Sequence, residues 1–178
     1  MKFVVVINGS GGSGKDTVVD IVARHYEVLN TSSIAPIKEI LSLAGVPESE
    51  FKTDAGRKLL SDVKLAFTEY NDLPFRCMKE IYDAFLEWDD VDIMFVHIRE
   101  PSEIEHFVSA VTEVPVVTLL IENRVQRTYG NMADDNVHDY TYDYAFVNNG
   151  PLEELPDRFM EFFNWMIKEE QIEVNWQN

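Results

Sequence analysis

A chain of 178 residues with 15 basic and 32 acidic side chains carries a formal charge of −17, which argues against a non-specific nucleic-acid binder and against a polybasic membrane anchor. At 46% hydrophobic and 12% aromatic it can bury a real core, which argues against disorder despite the charge. Its length suits one domain spanning 1–178.

Phe3 to Ile7 is a continuous run of mostly β-branched residues, the pattern of a strand buried on both faces of a parallel sheet. The run is too short for a secretory signal, and no stretch reaches membrane-spanning length, so the expected location is cytoplasmic. A glycine-rich segment, Gly9 to Thr17, follows, and then Val18, Val19, Ile21, Val22 and Tyr26 recur at helical spacing. Tyr26 to Leu29 reads as a short second strand before the polar Asn30-Thr31-Ser32-Ser33. Pro36 opens a helix with Ile37, Ile40, Leu41 and Ala44 on one face, and Gly45 stops it. Leu59, Leu60, Val63, Phe67 and Tyr70 predict a second helix. Pro74 opens a third through Met78, Tyr82 and Phe85, a stretch in which the single cysteine, Cys77, reads as core filler. These three helices form an insertion over about 34–90.

Val91 to Ile98 is the next strand, Pro101 begins a helix through Ile104 and Phe107, and Val114 to Ile121 is strand-like again. Arg124 to Tyr129 suggests a short helix and Asp134 to Tyr142 an acidic, polar loop, with little apolar anchorage over Gly130 to Asp139. Tyr144 to Val147 is a last strand. From Pro151 a terminal helix carries Leu152, Leu155, Phe159, Phe162, Phe163, Met166 and Ile167 on one face, closing over the sheet. Strands alternating with helices give an α/β fold with a parallel sheet.

The chemistry sits in Gly9-x-x-x-x-Gly14-Lys15, placed between a buried strand and a helix, where a phosphate-binding loop must lie. Gly9, Gly11, Gly12 and Gly14, with Ser13, let the backbone curl so that successive N–H groups face phosphate oxygens. The following helix adds the positive end of its dipole, and Lys15 adds a mobile cation. The usual hydroxyl after the lysine is replaced by Asp16, with Thr17 one place later. Thr17 is the candidate hydroxyl for Mg²⁺. Asp16 is either a helix-capping carboxylate or a ligand to Mg²⁺-bound water, or a base near the acceptor.

Gly11-Gly12-Ser13-Gly14-Lys15-Asp16-Thr17 and Arg57-Lys58-Leu59-Leu60-Ser61-Asp62 together resemble the P-loop nucleoside and nucleotide kinases, nearest to the phage-type deoxynucleoside monophosphate kinases. Arg99-Glu100-Pro101-Ser102-Glu103 and Asp143 to Gly150 are similar to the same group. The resemblance implies a three-layer fold on a five-stranded parallel sheet, and phosphoryl transfer from ATP, with Mg²⁺, to a small acceptor. It places the acceptor near Arg57 in the helical insertion and a short lid over about 122–142 carrying Arg124 and Arg127. It also puts Asn148 and Asn149 near the nucleotide base, although the same turn reads as a helix cap.

Arg99 follows a predicted central strand, where ligands of open parallel sheets collect. Arg124 and Arg127, three apart, share a helix face. Clamping by such cations is most of what phosphoryl transfer requires. His97 stands where the family often carries a strand-end carboxylate, and it reads as a buried neutral imidazole. Arg158, on the terminal helix, is expected to lie away from the chemistry. There is no Asn-Lys-x-Asp guanine-reading motif and no Leu-Ser-Gly-Gly-Gln transporter signature. The partner expected is a small-molecule phosphate acceptor, on a monomer or homodimer, with no nucleic acid or membrane.

Overall fold

All six residues of β1 (Phe3–Asn8) are buried, because a strand between two parallel neighbours and two helical layers has no face left for solvent. The structure is a computed structural model that describes residues 1–123 and 136–173. Within it the chain runs β1, α1 (Lys15–Val22), β2 (Val28–Ser32), α2 (Ala35–Leu43), α3 (Asp54–Asn71), α4 (Leu73–Glu87), β3 (Ile93–His97), α5 (Pro101–Ala110), β4 (Val116–Glu122), β5 (Tyr144–Val147) and α6 (Leu155–Glu169). The five strands form one parallel sheet in the order β2-β3-β1-β4-β5. This is the α/β architecture and five-stranded parallel sheet that the sequence predicts.

Alternation along β1 sends Phe3, Val5 and Ile7 to one face and Val4 and Val6 to the other. The first set packs with Val18, Val22 and Ile21 of α1 and with Phe159, Phe163 and Met166 of α6. The second packs with Met78, Tyr82 and Phe85 of α4 and with Ile104 and Phe107 of α5. Each fully buried aliphatic or aromatic side chain contributes about 1.5–3 kcal/mol against exposure. A smaller core of Ile37, Leu41, Phe51 and Leu60 ties α2 and α3 together. The helix α4, read from sequence as the third helix of the insertion, therefore covers the sheet, while α2 and α3 share a core of their own.

Three boundaries differ from the sequence expectation. The second strand is Val28–Ser32, not Tyr26 to Leu29. It is an edge strand bonded to β3 alone, so its polar Asn30, Thr31 and Ser32 are tolerated in the ladder, and Tyr26 is instead a buried ring 6.1 Å from Phe163. The last helix starts at Leu155 after a 3₁₀ turn over Leu152–Glu154, which leaves Leu152 exposed. The segment read as a polar loop is anchored where it is described: Asn136–Asp139 is a 3₁₀ turn, Val137 is buried, and Tyr140 and Tyr142 pack against the α4–α5 side of the sheet. The helix expected over Arg124 to Tyr129 lies outside the described residues.

The chain leaves β1 toward β2 on one side and crosses from β3 to β4 on the other. Connections that diverge in this way open a crevice beyond the carboxyl ends of the two central strands. The loop after β1 and the loop after β3 both end there. No helix among the described residues is long and apolar enough to cross a membrane.

Candidate functional site

The loop from Gly9 to Gly14 turns tightly enough to demand glycine at both ends. Gly9 has φ +149° and a Cβ there would lie 2.3 Å from the carbonyl oxygen of Ile121. Gly14 has φ +99°, and its Cβ would lie 2.6 Å from Asn148 Nδ2. A positive φ and a close neighbour together exclude other side chains. Inside the turn the Ser13 N–H donates to the Ser10 carbonyl at 3.1 Å, and Val18 N–H reaches the Gly14 carbonyl at 3.0 Å as α1 starts. The Lys15 ammonium folds back over the loop, donating to the carbonyls of Gly9 and, at 2.9 Å, of Ser10. A flexible cation with exchangeable carbonyl partners suits a group that must swing onto a phosphate.

The loop forms one wall of a cleft of about 690 Å³. The opposite wall comes from the end of β2, from α2, and from α3, and the floor from the loop after β3. Six of the chain's 15 basic residues line it: Lys15, Lys38, Lys52, Arg57, Lys64 and Arg99. Two acidic residues, Asp16 and Glu100, share it. In a chain of charge −17, so many cations around one cavity mark a site for an anion. Lys64 is also bonded to Glu103 at 2.6 Å, and both are largely shielded, so α3 is tied to α5 across the cleft.

The sequence-predicted residues fall into three groups. Gly11, Gly12, Lys15, Asp16, Arg57 and Arg99 line the cleft, with Gly9, Ser13 and Gly14 in the loop that forms its wall. Thr17 is exposed on α1 and does not line it, whereas the Asp16 side chain, 94% exposed, does. Asn148 braces the loop, its Nδ2 donating to the Ser13 carbonyl at 3.0 Å and its N–H to Glu122 at 2.7 Å. Asn149 accepts from Arg158 Nη2 at 3.2 Å. Arg158 also reaches the Val147 carbonyl and lies over the Phe146 ring, so it supports the turn and is not the remote side chain expected. Arg124 and Arg127 lie outside the described residues.

His97 closes β3 beneath this cleft. Its Nδ1 lies 3.9 Å from Asp16 Oδ1, and its Nε2 is buried with no hydrogen-bond partner. Burial, the largest influence, pushes its pKa down to about 4; Asp16, the next largest, pulls it upward, and the cations Lys15, Arg99 and Lys38 each push it down again. The imidazole is therefore neutral at pH 7, as the sequence suggested. Asp16 thus stands across from the end of β3, where the resemblance would have placed a carboxylate on the strand itself.

Sequence reasoning passed over Lys38, Lys52 and Asn8. The available signal was density, since five of the basic residues fall between 38 and 64. For Asn8 it was a lone polar side chain ending an apolar strand directly before the loop.

No family model matches the chain. No curated protein matches it either. Among solved structures, it is similar to an unliganded sugar kinase from a Janibacter species, at 18% identity over 92% of this chain and 95% of that one, with a TM-score of 0.48. It is also similar to the Thermus thermophilus protein TT1252, at 15% identity over 93% and 98%, with a TM-score of 0.45.

Proposed function

We propose that the chain is an ATP-dependent phosphotransferase acting on a small phosphorylated acceptor, with a (deoxy)nucleoside monophosphate the acceptor that the sequence resemblance favours. One observation carries the reading: a glycine loop leading from a buried strand into a helix N-terminus forms the wall of a cleft lined by six cations. In this reading the loop N–H groups and Lys15 hold the triphosphate. Arg57 and Arg99, with Lys38 and Lys52, hold the acceptor's phosphate, because guanidinium groups grip phosphate in two places. Arg124 and Arg127 belong to the lid by resemblance. The transfer needs little covalent help, so the protein's task is to place two phosphates in line and to spread positive charge around them.

Mg²⁺ would neutralise charge on the transferring phosphates. The residues present fit a metal held chiefly by phosphate and water, as is common for this ion. Among the described residues no cluster of three or more His, Cys, Asp or Glu could hold a metal. Asp16 is the exposed carboxylate beside Lys15, suited to bind Mg²⁺ waters. A second reading, another phosphorylated metabolite as acceptor, is favoured by the hydroxyls of Thr31, Ser32, Ser33 and Ser61 in the cleft.

The test is ADP release from Mg-ATP with and without panels of nucleoside monophosphates and small phosphorylated alcohols. Acceptor-dependent release supports the proposal and identifies the acceptor class. Acceptor-independent release indicates an ATPase, and tight ATP binding without turnover indicates a non-catalytic nucleotide-binding protein.

A further inference from the structure

The backbone ladder between the two central strands stops before the cleft does. Its last register pair is Ile7 with His97, and the final bond, from the Ile98 N–H to the Ile7 carbonyl, is already long at 3.4 Å. Beyond that point a side chain makes the connection. Asn8 is fully buried. Its Oδ1 accepts from the Gly9 N–H at 2.8 Å, while Nδ2 donates to the Arg99 carbonyl at 2.9 Å and to Tyr142 Oη at 2.7 Å. The Tyr142 hydroxyl in turn donates to the Val137 carbonyl at 2.9 Å.

A carboxamide has one acceptor and two donor hydrogens, and here they are spent on three separate segments. These are the first N–H of the glycine loop, the loop that carries Arg99, and the stretch leading into β5. No other side chain of this size offers that combination. Aspartate lacks the donors, and leucine would leave the Gly9 N–H, the Arg99 carbonyl and the Tyr142 hydroxyl each short of a partner in a buried place, where an unmade bond is costly. Tyr142 adds its own restraint, since its hydroxyl accepts from Asn8 and donates to Val137, which holds the amide in one orientation.

We propose that Asn8 is a positioning residue that couples the phosphate-binding loop to the Arg99 loop and, through the Tyr142 hydroxyl, to residues 136–142. The inference rests on the phosphate-loop reading above. Order imposed on the glycine loop by a bound nucleotide passes through the Gly9 N–H to one carboxamide, and from it to both other segments.

Hydrogen exchange measured on the whole chain with and without a non-hydrolysable ATP analogue tests this, with analogue affinity measured by calorimetry. In the wild type the analogue should slow exchange at residues 9–14, 97–100 and 136–142 together, by at least about fivefold, the low end of typical coupling between sites. Tyr142→Phe removes a single oxygen from the chain of bonds. It should bind the analogue with affinity close to wild type and keep the slowing at 97–100, yet lose it at 136–142. Asn8→Ala should lose the ligand-induced slowing at both distant segments. A merely structural role would raise exchange equally with and without the analogue and leave the ligand-induced difference intact. That result, or undiminished slowing at 136–142 in Tyr142→Phe, overturns the proposal even if Asn8→Ala fails to fold. If the wild type does not bind the analogue at all, the phosphate-loop reading fails first and the coupling falls with it.

Discussion

Replacing His97 with leucine should flatten the acid limb of the stability curve. The imidazole is largely enclosed at the end of β3 and its Nε2 has no partner; burial, helped by Lys15, Arg99 and Lys38, outweighs the upward pull of Asp16 at 3.9 Å, so its pKa falls from 6.5 to about 4. An unfolded chain takes up this proton near pH 6.5 and the folded chain only near pH 4. Over that window the unfolded state holds more protons, so stability must fall as pH falls. The loss is complete below about pH 4 and absent above about pH 7. At roughly 1.4 kcal/mol per pH unit the full displacement corresponds to about 3 kcal/mol, of which about 2 kcal/mol is lost by pH 5. For a domain of this size 2 kcal/mol is about 4–8 °C in Tm. Urea denaturation of wild type and His97→Leu at pH 7.5 and pH 5 gives the comparison directly, because the carboxylates that also titrate are common to both chains. The wild type should lose about 2 kcal/mol more than the variant. Parallel losses would show that His97 titrates like an exposed histidine, and would refute the account of its burial.

Lys15→Ala should leave the fold intact and reduce phosphoryl transfer on the order of 10²–10³-fold, with ATP binding partly kept by the loop N–H groups; near-normal turnover would remove the phosphate-loop assignment. Arg99→Ala should raise the acceptor KM with little change in the ATP KM, and Arg99→Lys should recover only part of it, since a point charge lacks the two-pronged grip. Arg76, exposed on α4 and away from the cleft, is the control for general charge loss, and Arg158 is unsuitable because it holds the Asn149 turn. Gly14→Ala should destabilise by about 1–3 kcal/mol through its positive φ and its collision with Asn148. In an Asn148→Ala background calorimetry should find that penalty smaller, because the collision is gone and only the backbone strain remains.

What was legible from sequence tracks how local each feature is. The strand, glycine loop and helix over residues 3–22 lie within one stretch, and each acts on its neighbours in the chain, so run length, glycine spacing and helical periodicity suffice. The buried β1 and the aromatic face of α6 could be read for the same reason. The edge strand β2 could not, because Asn30, Thr31 and Ser32 look like a loop until β3 supplies their ladder partners. The helix α4 was assigned to the insertion because periodicity reveals an apolar face but not which layer that face meets. Arg158 was judged remote because distance along the chain hides the fold-back that brings it beneath Gly150.

The same contrast explains the division of labour in the cleft. In the function proposed above, nucleotide phosphates are read mainly by backbone N–H groups, which one short motif can place without help from the rest of the chain. The acceptor half of that proposal draws on side chains at 38, 52, 57 and 99, carried by α2, the 3₁₀ turn Glu48–Lys52, α3 and the loop following β3. Their convergence depends on strand order β2-β3-β1, which brings the end of β2 and its following helices over the carboxyl end of β3. A substitution in the glycine loop should therefore act on every nucleotide-dependent step at once. Substitutions among the acceptor-side cations should change which acceptor is used while leaving the nucleotide's own affinity largely intact. Asn8 stands at the seam between these halves, one residue before the loop and bonded to the Arg99 carbonyl. If the two halves communicate, a change at that position is the one that should disturb both without removing a charge from either.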